Sequence, residues 1–338
     1  MNLQEIAKRA RVLIATVSRA INRIPSVHPA LARRVWKVVD EIGYYPNTQA
    51  RALVSGRSRI FGLIVSEITN PFFPEIVQCF GDLAVQHNYE VLLSSTIHDP
   101  TRIERAVRRM IERRVDGIAI LTFGMDESLI ERFHSRGVPL VCVKAGQNVP
   151  GVSNIRIDYL HGIRQAVQHL AALRHVRIAF VTGPPSFRTV LARRGAFEQS
   201  MKEIGLDIRQ ELIVSGDHRM EGGMKALMRL ASLSEPPTAV LCSNDMTAIG
   251  VLRQAYECGI PIPQALSVVG FDDIRIAQFT IPPLTTVQMS QIGLAQLAFC
   301  ALLRHAEGGG NNDCVLSTAL ILRCSTALAS LRPLLPLG

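Results

Sequence analysis

The chain has 338 residues, of which 48% are hydrophobic and 19% charged. That supplies about two or three domains with sizeable cores and excludes a disordered chain. No run of about 18 apolar residues free of charge occurs, which argues against a membrane-spanning helix. The formal net charge of +9 is unevenly placed: residues 1–60 hold 11 Lys/Arg against 3 Asp/Glu, and the remainder holds 26 against 25. A compact basic module on a nearly neutral body predicts a polyanionic partner, nucleic acid first, with a merely solvated basic arm as the alternative. The opening MNLQEIAKRA is polar and lacks the apolar core of a secretory signal, so a cytoplasmic protein is expected. The seven cysteines, 79, 142, 242, 258, 300, 314 and 324, are odd in number and never in CxxC spacing. They read as reduced thiols, neither a disulfide framework nor a zinc site.

In chain order, Asn2 and Glu5 have capping-box spacing before Leu3, Ile6, Ala7 and Ala10, which predicts a first short helix. A break near Arg11-Val12-Leu13 precedes a second helix at about Ile14–Asn22. A third spans about Pro29–Ile42, with Leu31, Val35, Val38, Val39 and Ile42 inward and Arg33, Arg34 and Lys37 outward. Two short helices joined by a tight turn and braced by a third predict a helix-turn-helix, whose second helix reads the major groove. Pro46-Asn47 then opens a short helix at Thr48–Val54, too short to stand alone in water.

From Ile60 the pattern changes. Runs at 60–66, 89–95, 117–122, 139–143, 177–183, 238–243 and 266–272 read as buried parallel strands. Helical stretches separate them, among them Glu75–His87, Arg102–Arg114, Tyr159–Leu173, Arg193–Ile204 and Asp245–Cys258. Such alternation means βαβ units, and the number of units predicts two parallel-sheet subdomains with a cleft at the strand carboxyl ends. The expected fold is therefore an α-helical headpiece plus an α/β body. Its boundaries are expected at 1–46 for the headpiece, 47–59 for the hinge and linker, 60–328 for the body and 329–338 for a tail.

The ordered motifs IAKRARV, IATVSRAIN, EIGYYPNTQARALVSGRSRIFGLIV, NPFF at 70–73, SNDMTAIG at 243–250, SVVGFDD at 267–273 and PPLTTV at 282–287 carry a resemblance. Together they resemble the lactose-repressor/galactose-repressor family of bacterial regulators over nearly the whole chain. The resemblance implies a body like that of periplasmic sugar-binding proteins, with three crossover segments. It also implies base reading by Ile14 and Ala15, contacts from Thr16, Ser18 and Asn22, and base readout by Arg19, whose alternative role is a phosphate contact. An apolar Ile14-Ala15 pair donates no hydrogen bond and would read thymine methyl groups or shape. Leu53 matches a minor-groove wedge, with Ala50 one turn away on the same face. Leu53 packing on the body is the alternative.

For the body, the resemblance implies effector contacts from Asn70, Phe72, Arg193, Asn244 and Asp272, with Asp158 and His218 as further candidates. Phe72 is expected as a stacking platform and Phe73 as core, while Asn244 would look the same as a plain helix cap. An arginine, carboxylates and amides around an aromatic face suit a polyhydroxylated ring. Four departures stand out. Arg11 occupies the family's usual turn glycine, and Leu13 its usual serine cap, so a less stable headpiece is expected. Met289 replaces a common glutamine. Lys144 stands where an aspartate is common and would favour an anionic effector, unless it only snorkels at the surface.

No catalytic motif or metal-spaced histidine pair is evident, and no cofactor is expected. The reading is a homodimeric, effector-controlled transcriptional regulator, more readily a repressor, on a pseudo-palindromic operator, with no membrane partner. An architectural DNA-bending protein and a solute-binding protein are the competing classes.

Overall fold

The computed structural model describes residues 3–21, 26–44, 56–122, 130, 133–134, 137–144 and 152–330. The chain divides into two compact units, Met1–Ser58 and Arg59–Gly338. Asn22, Ala50 and Leu53 lie outside the described residues, as do Asn2 and the expected hinge helix.

The first unit holds α1 (Leu3–Ala10), α2 (Ile14–Ile21) and α3 (Pro29–Glu41). Each helix turns one apolar stripe inward. Ile6, Ala7 and Ala10 meet Val17, Ala20 and Ile21, and Val35, Val38 and Val39 close the core. Leu31, expected inside, is only half-buried. Proline at the first position of α3 suits a helix start, and His28 caps it by accepting from Ala30 N–H at 3.3 Å. The turn between α1 and α2 needs a left-handed residue, and Arg11 takes it at φ 48°. Glycine would adopt that conformation without strain. The Arg11 carbonyl is held by the Arg34 guanidinium at 2.9 Å, which ties the strained turn to α3.

The second unit is built on two six-stranded sheets. Sheet one runs β2 (Glu90–Ser95), β1 (Ile60–Val65), β3 (Gly117–Leu121), β4 (Leu140–Lys144), β5 (Ser153–Asp158) and β11 (Cys314–Ser317), all parallel. Sheet two runs β7 (Ile213–Val214), β6 (Ile178–Val181), β8 (Ala239–Cys242), β9 (Ser267–Asp272), β10 (Thr285–Gln288) and β12 (Ala319–Ile321). Only β12 is antiparallel to its neighbour. Every strand expected from the sequence is present, and β5, β7, β10, β11 and β12 are added.

Helices cover the sheets. In chain order they are α4 (Phe72–Gln86), α5 (Pro100–Glu112), α6 (Tyr159–Ala172), α7 (Arg188–Glu203), α8 (Met220–Ala231), α9 (Asp245–Glu257) and α10 (Gln291–Ala306). Strand alternation sends Phe61, Leu63 and Val65 into one core layer, while Ile64 enters the other, against Ile103, Val107 and Met110 of α5. α10 packs on α4 and so belongs with sheet one, although it follows β10 of sheet two.

The chain therefore passes between the lobes three times: from β5 into α6, from β10 into α10, and from β11 into β12. Thr318 welds the first and third crossings. Its hydroxyl donates to the Asp158 carbonyl at 2.6 Å and accepts from Gly162 N–H at 3.0 Å.

Candidate effector cleft and DNA-reading helix

Parallel strands end where their helices begin, so each lobe presents loops and helix N-termini along one edge. Between those edges lies a cavity of about 560 Å³. Asn70 and Phe72 reach it from the segment after β1, Arg193 from α7, His218 from the loop before α8, Asn244 after β8 and Asp272 at the end of β9. Six residues chosen from distant parts of the sequence thus surround one space.

Arg193 organises the floor. Its guanidinium donates to the Ser243 carbonyl and lies 3.4 Å from Asp272 Oδ1. It also stands 4.1 Å from the Phe271 ring centre and 5.1 Å from that of Tyr159. Two aromatic faces suit a weakly hydrated planar cation, and they fix the fork's direction. Its Nε is buried without a hydrogen-bond partner among the described residues. Burial pushes the Asp272 carboxyl up to about 7, against the opposing pull of Arg193. Burial also raises Asp245, next to the cap residue, well above the usual carboxylate range, although Thr286 hydroxyl and Ile274 N–H both donate to it.

His218 sits at φ 64° with its ring against Gly183, where any Cβ would collide with the imidazole. Burial, then Arg193 and His98, push its pKa down to about 3, so the ring is neutral. Neutral imidazole offers one donor and one acceptor, and Nε2 has no partner among the described residues. Asn244 is already engaged: its Oδ1 caps α9 through Thr247 N–H at 2.9 Å, and its Nδ2 donates to the His218 carbonyl at 3.0 Å. The structure shows it as a cap that also borders the cavity. Phe72 and Phe73 are both buried, packed edge to face at 5.3 Å, and both border the cavity.

Asp158 does not join this set. It caps α6 by accepting from His161 N–H at 3.2 Å and does not border the cavity. Its place near a crossover suggested a ligand contact, and the structure uses the carboxylate there as a helix cap. Lys144 ends β4, and its side chain lies outside the described residues. Met289 is fully buried.

The cleft also contains residues that sequence reasoning missed. Glu67 follows β1 and reaches Arg219 of the opposite lobe at 3.8 Å. His98, after β2, packs tilted against Phe187, which precedes α7, with ring centres 4.6 Å apart. Ile97 and His98 adopt consecutive left-handed conformations, at φ 50° and 57°. A β-branched residue there is a genuine outlier, and such strain gathers at functional sites. No sequence signal marks that turn, which has neither glycine nor asparagine.

In the first unit, α2 buries Val17, Ala20 and Ile21 and leaves Ile14, Ala15 and Arg19 exposed, with Thr16 and Ser18 half-buried. The expected base-reading residues within the described chain therefore share the solvent side of the second helix. That is the geometry in which a helix-turn-helix presents its N-terminal side chains to base edges.

Comparison with known proteins agrees with both units. Residues 2–47 match "Bacterial regulatory proteins, lacI family", and residues 58–304 match "Periplasmic binding proteins and sugar binding domain of LacI family". The chain is 33% identical over 306 residues to the HTH-type transcriptional repressor PurR of Glaesserella parasuis serovar 5, covering 90% of each protein. It is 32% identical over 330 residues to the HTH-type transcriptional repressor CytR of Escherichia coli K12, covering 96% of each. Among solved structures, the lac repressor dimer bound to operator and the anti-inducer ONPF aligns with a TM-score of 0.87 at 26% identity, over 97% of this chain and 99% of that one. The complex of the transcriptional regulator CelR with cellobiose aligns at 0.71 and 28%, over 96% and 99%. The chain belongs to the LacI family: it is a helix-turn-helix, DNA-binding transcriptional repressor whose two-lobed body places it under the control of a small effector.

Proposed function

We propose that this repressor acts as a cytoplasmic homodimer on a pseudo-palindromic operator and answers to a neutral, polyhydroxylated effector of sugar-like size. The observation that carries the effector class is the charge around the cavity. Four carboxylates, Glu67, Asp217, Glu221 and Asp272, face two guanidiniums, Arg193 and Arg219, each of them already ion-paired. With His218 neutral, neither a lysine nor an unpaired guanidinium stands among the described lining residues to await an anion. This favours a neutral ring over the anion suggested by Lys144. Hydroxyls would be held by Arg193, Asp272, Asn70 and His218, over the apolar wall of Phe72.

Control follows from two lobes that meet across the cleft through Glu67–Arg219 and His98–Phe187. An effector that bridges the lobes favours the closed arrangement, and closure is transmitted to the paired DNA-binding units by population shift. Apolar exposure supports a second copy as partner: Ile276, Phe279 and Ile281 stand in solvent on one short segment of lobe two. In the DNA-binding unit, Ile14, Ala15, Thr16, Ser18 and Arg19 face the groove, with Asn22, Ala50 and Leu53 assigned by family resemblance. Calorimetry with paired neutral and phosphorylated sugars tests the effector class. Tighter binding of the neutral member is expected, and preference for the phosphorylated member would contradict it.

A further inference from the structure

Leu13 is anomalous in its own surroundings. It lies at the N-cap of α2, where its carbonyl accepts from Thr16 N–H at 2.8 Å and Val17 N–H at 3.1 Å. Its side chain has no acceptor to offer the first-turn amides, so it gives up the stabilisation that Ser, Thr, Asp or Asn would supply there. Nor does it join the core, for it is 78% exposed while Val12 beside it packs inward. Among the described residues of the first unit, Leu13 and Ile14 are the only large hydrophobic residues left exposed. With Ala15, also exposed, they make three consecutive apolar side chains at the leading end of the second helix. This end also lacks an acidic side chain in its first turn.

We propose that Leu13 is a base-reading residue, packing with Ile14 and Ala15 on thymine 5-methyl groups in the operator's major groove. The inference rests on the operator-binding reading above and adds a specificity residue to it. An apolar tip can use only one major-groove feature directly, the thymine methyl, since every other recognition atom there is a hydrogen-bond donor or acceptor. The helix start is the part of a helix-turn-helix that meets base edges. A residue that gives up a cap and leaves its hydrocarbon in water is explained if DNA covers it. Packing there would recover burial that the free protein forgoes.

The test uses the full-length protein and a duplex carrying the half-site it selects from random DNA. Each thymine is replaced in turn by deoxyuridine, which removes the methyl and nothing else. Binding is measured for the wild type, Leu13→Ala and Leu13→Ser. One or two positions are expected at which deoxyuridine weakens wild-type binding by about 3- to 5-fold per methyl. At the position that Leu13 covers the loss should shrink towards unity in both variants, while methyls covered by Ile14 or Ala15 keep theirs and Leu13→Ser melts higher through its restored cap. Equal losses in wild type and variants would place the methyl contact on another residue and overturn the proposal. So would a selected half-site that tolerates deoxyuridine throughout. Failure to select any sequence would overturn the operator reading itself, and this proposal with it.

Discussion

The guanidinium of Arg193 and the carboxylate of Asp272 meet at 3.4 Å, both buried, beneath the cavity that separates the two lobes. Arg193 is pinned by the Ser243 carbonyl and by the Phe271 and Tyr159 rings, so its position does not depend on a bound ligand. A group fixed in advance contributes affinity without an ordering cost.

Arg193→Lys keeps the charge but loses the planar fork and the aromatic stacking. Effector affinity is expected to fall about 30-fold or more, consistent with the ~2–5 kcal/mol cost of truncating one partner of a buried charge pair. Operator binding without effector should persist. Calorimetry and a DNA-binding titration on the same preparation check both arms.

The pH dependence follows from Asp272. Its carboxyl is raised by burial to about 7 in the folded body, above its ordinary value near 3.8. The folded state therefore holds a proton that the unfolded state releases between those values, and stability falls as pH rises through that window. The melting temperature of the body should decline from about pH 4 to pH 7, with a shallower decline in Asp272→Asn. A variant with an unchanged slope would remove Asp272 as the cause.

The Glu67–Arg219 pair joins the lobes in partial solvent exposure, with side chains 28% and 65% exposed. Exposed pairs contribute about 0.2–1 kcal/mol, so Arg219→Gln should weaken effector binding by no more than about fivefold. The loss should vanish at high salt. A larger, salt-insensitive loss would mean that Arg219 contacts the effector directly.

Thr318 offers a structural control. Thr318→Val leaves Gly162 N–H buried without its acceptor and is expected to destabilise the body by about 1–3 kcal/mol. DNA reading by the first unit should be unaffected. Chemical denaturation followed by a probe in the body measures the difference.

Much of this arrangement was legible in the sequence. Strands such as IFGLIV and GIAIL are apolar runs between helical stretches, so their burial was visible directly. β5 was hidden because SNIRID interrupts its run with Asn154 and Arg156, the latter exposed. β11 and β12 are short edge strands, mostly exposed or half-buried, and lack the fully buried run that marks the equally short β6 and β8. α8 begins MEGGMKAL, and two adjacent glycines lower its helix propensity although both are buried against neighbours.

The cleft was legible where the polar residue ends a strand or opens its helix, as with Asn70, Asn244 and Asp272. It was not legible at Glu67, His98, Phe187 and Arg219. Their meeting depends on how two lobes face each other, and no local pattern encodes that. Asp158 shows the converse limit, because capping and binding demand the same residue at the same place. At Arg11, by contrast, the expected left-handed strain is present, since the turn geometry comes from the helix pair around it.

The central claim is sequence-specific DNA binding under effector control. Its most direct measurement is the recovery and sequencing of genomic fragments bound by the purified protein at about 150 mM salt. The same recovery is repeated with the neutral sugar that calorimetry identifies. Enrichment of one short palindrome, with its recovery shifted by the sugar, is the predicted result. Uniform recovery of the genome, or a palindrome indifferent to every ligand of the cleft, would contradict the account.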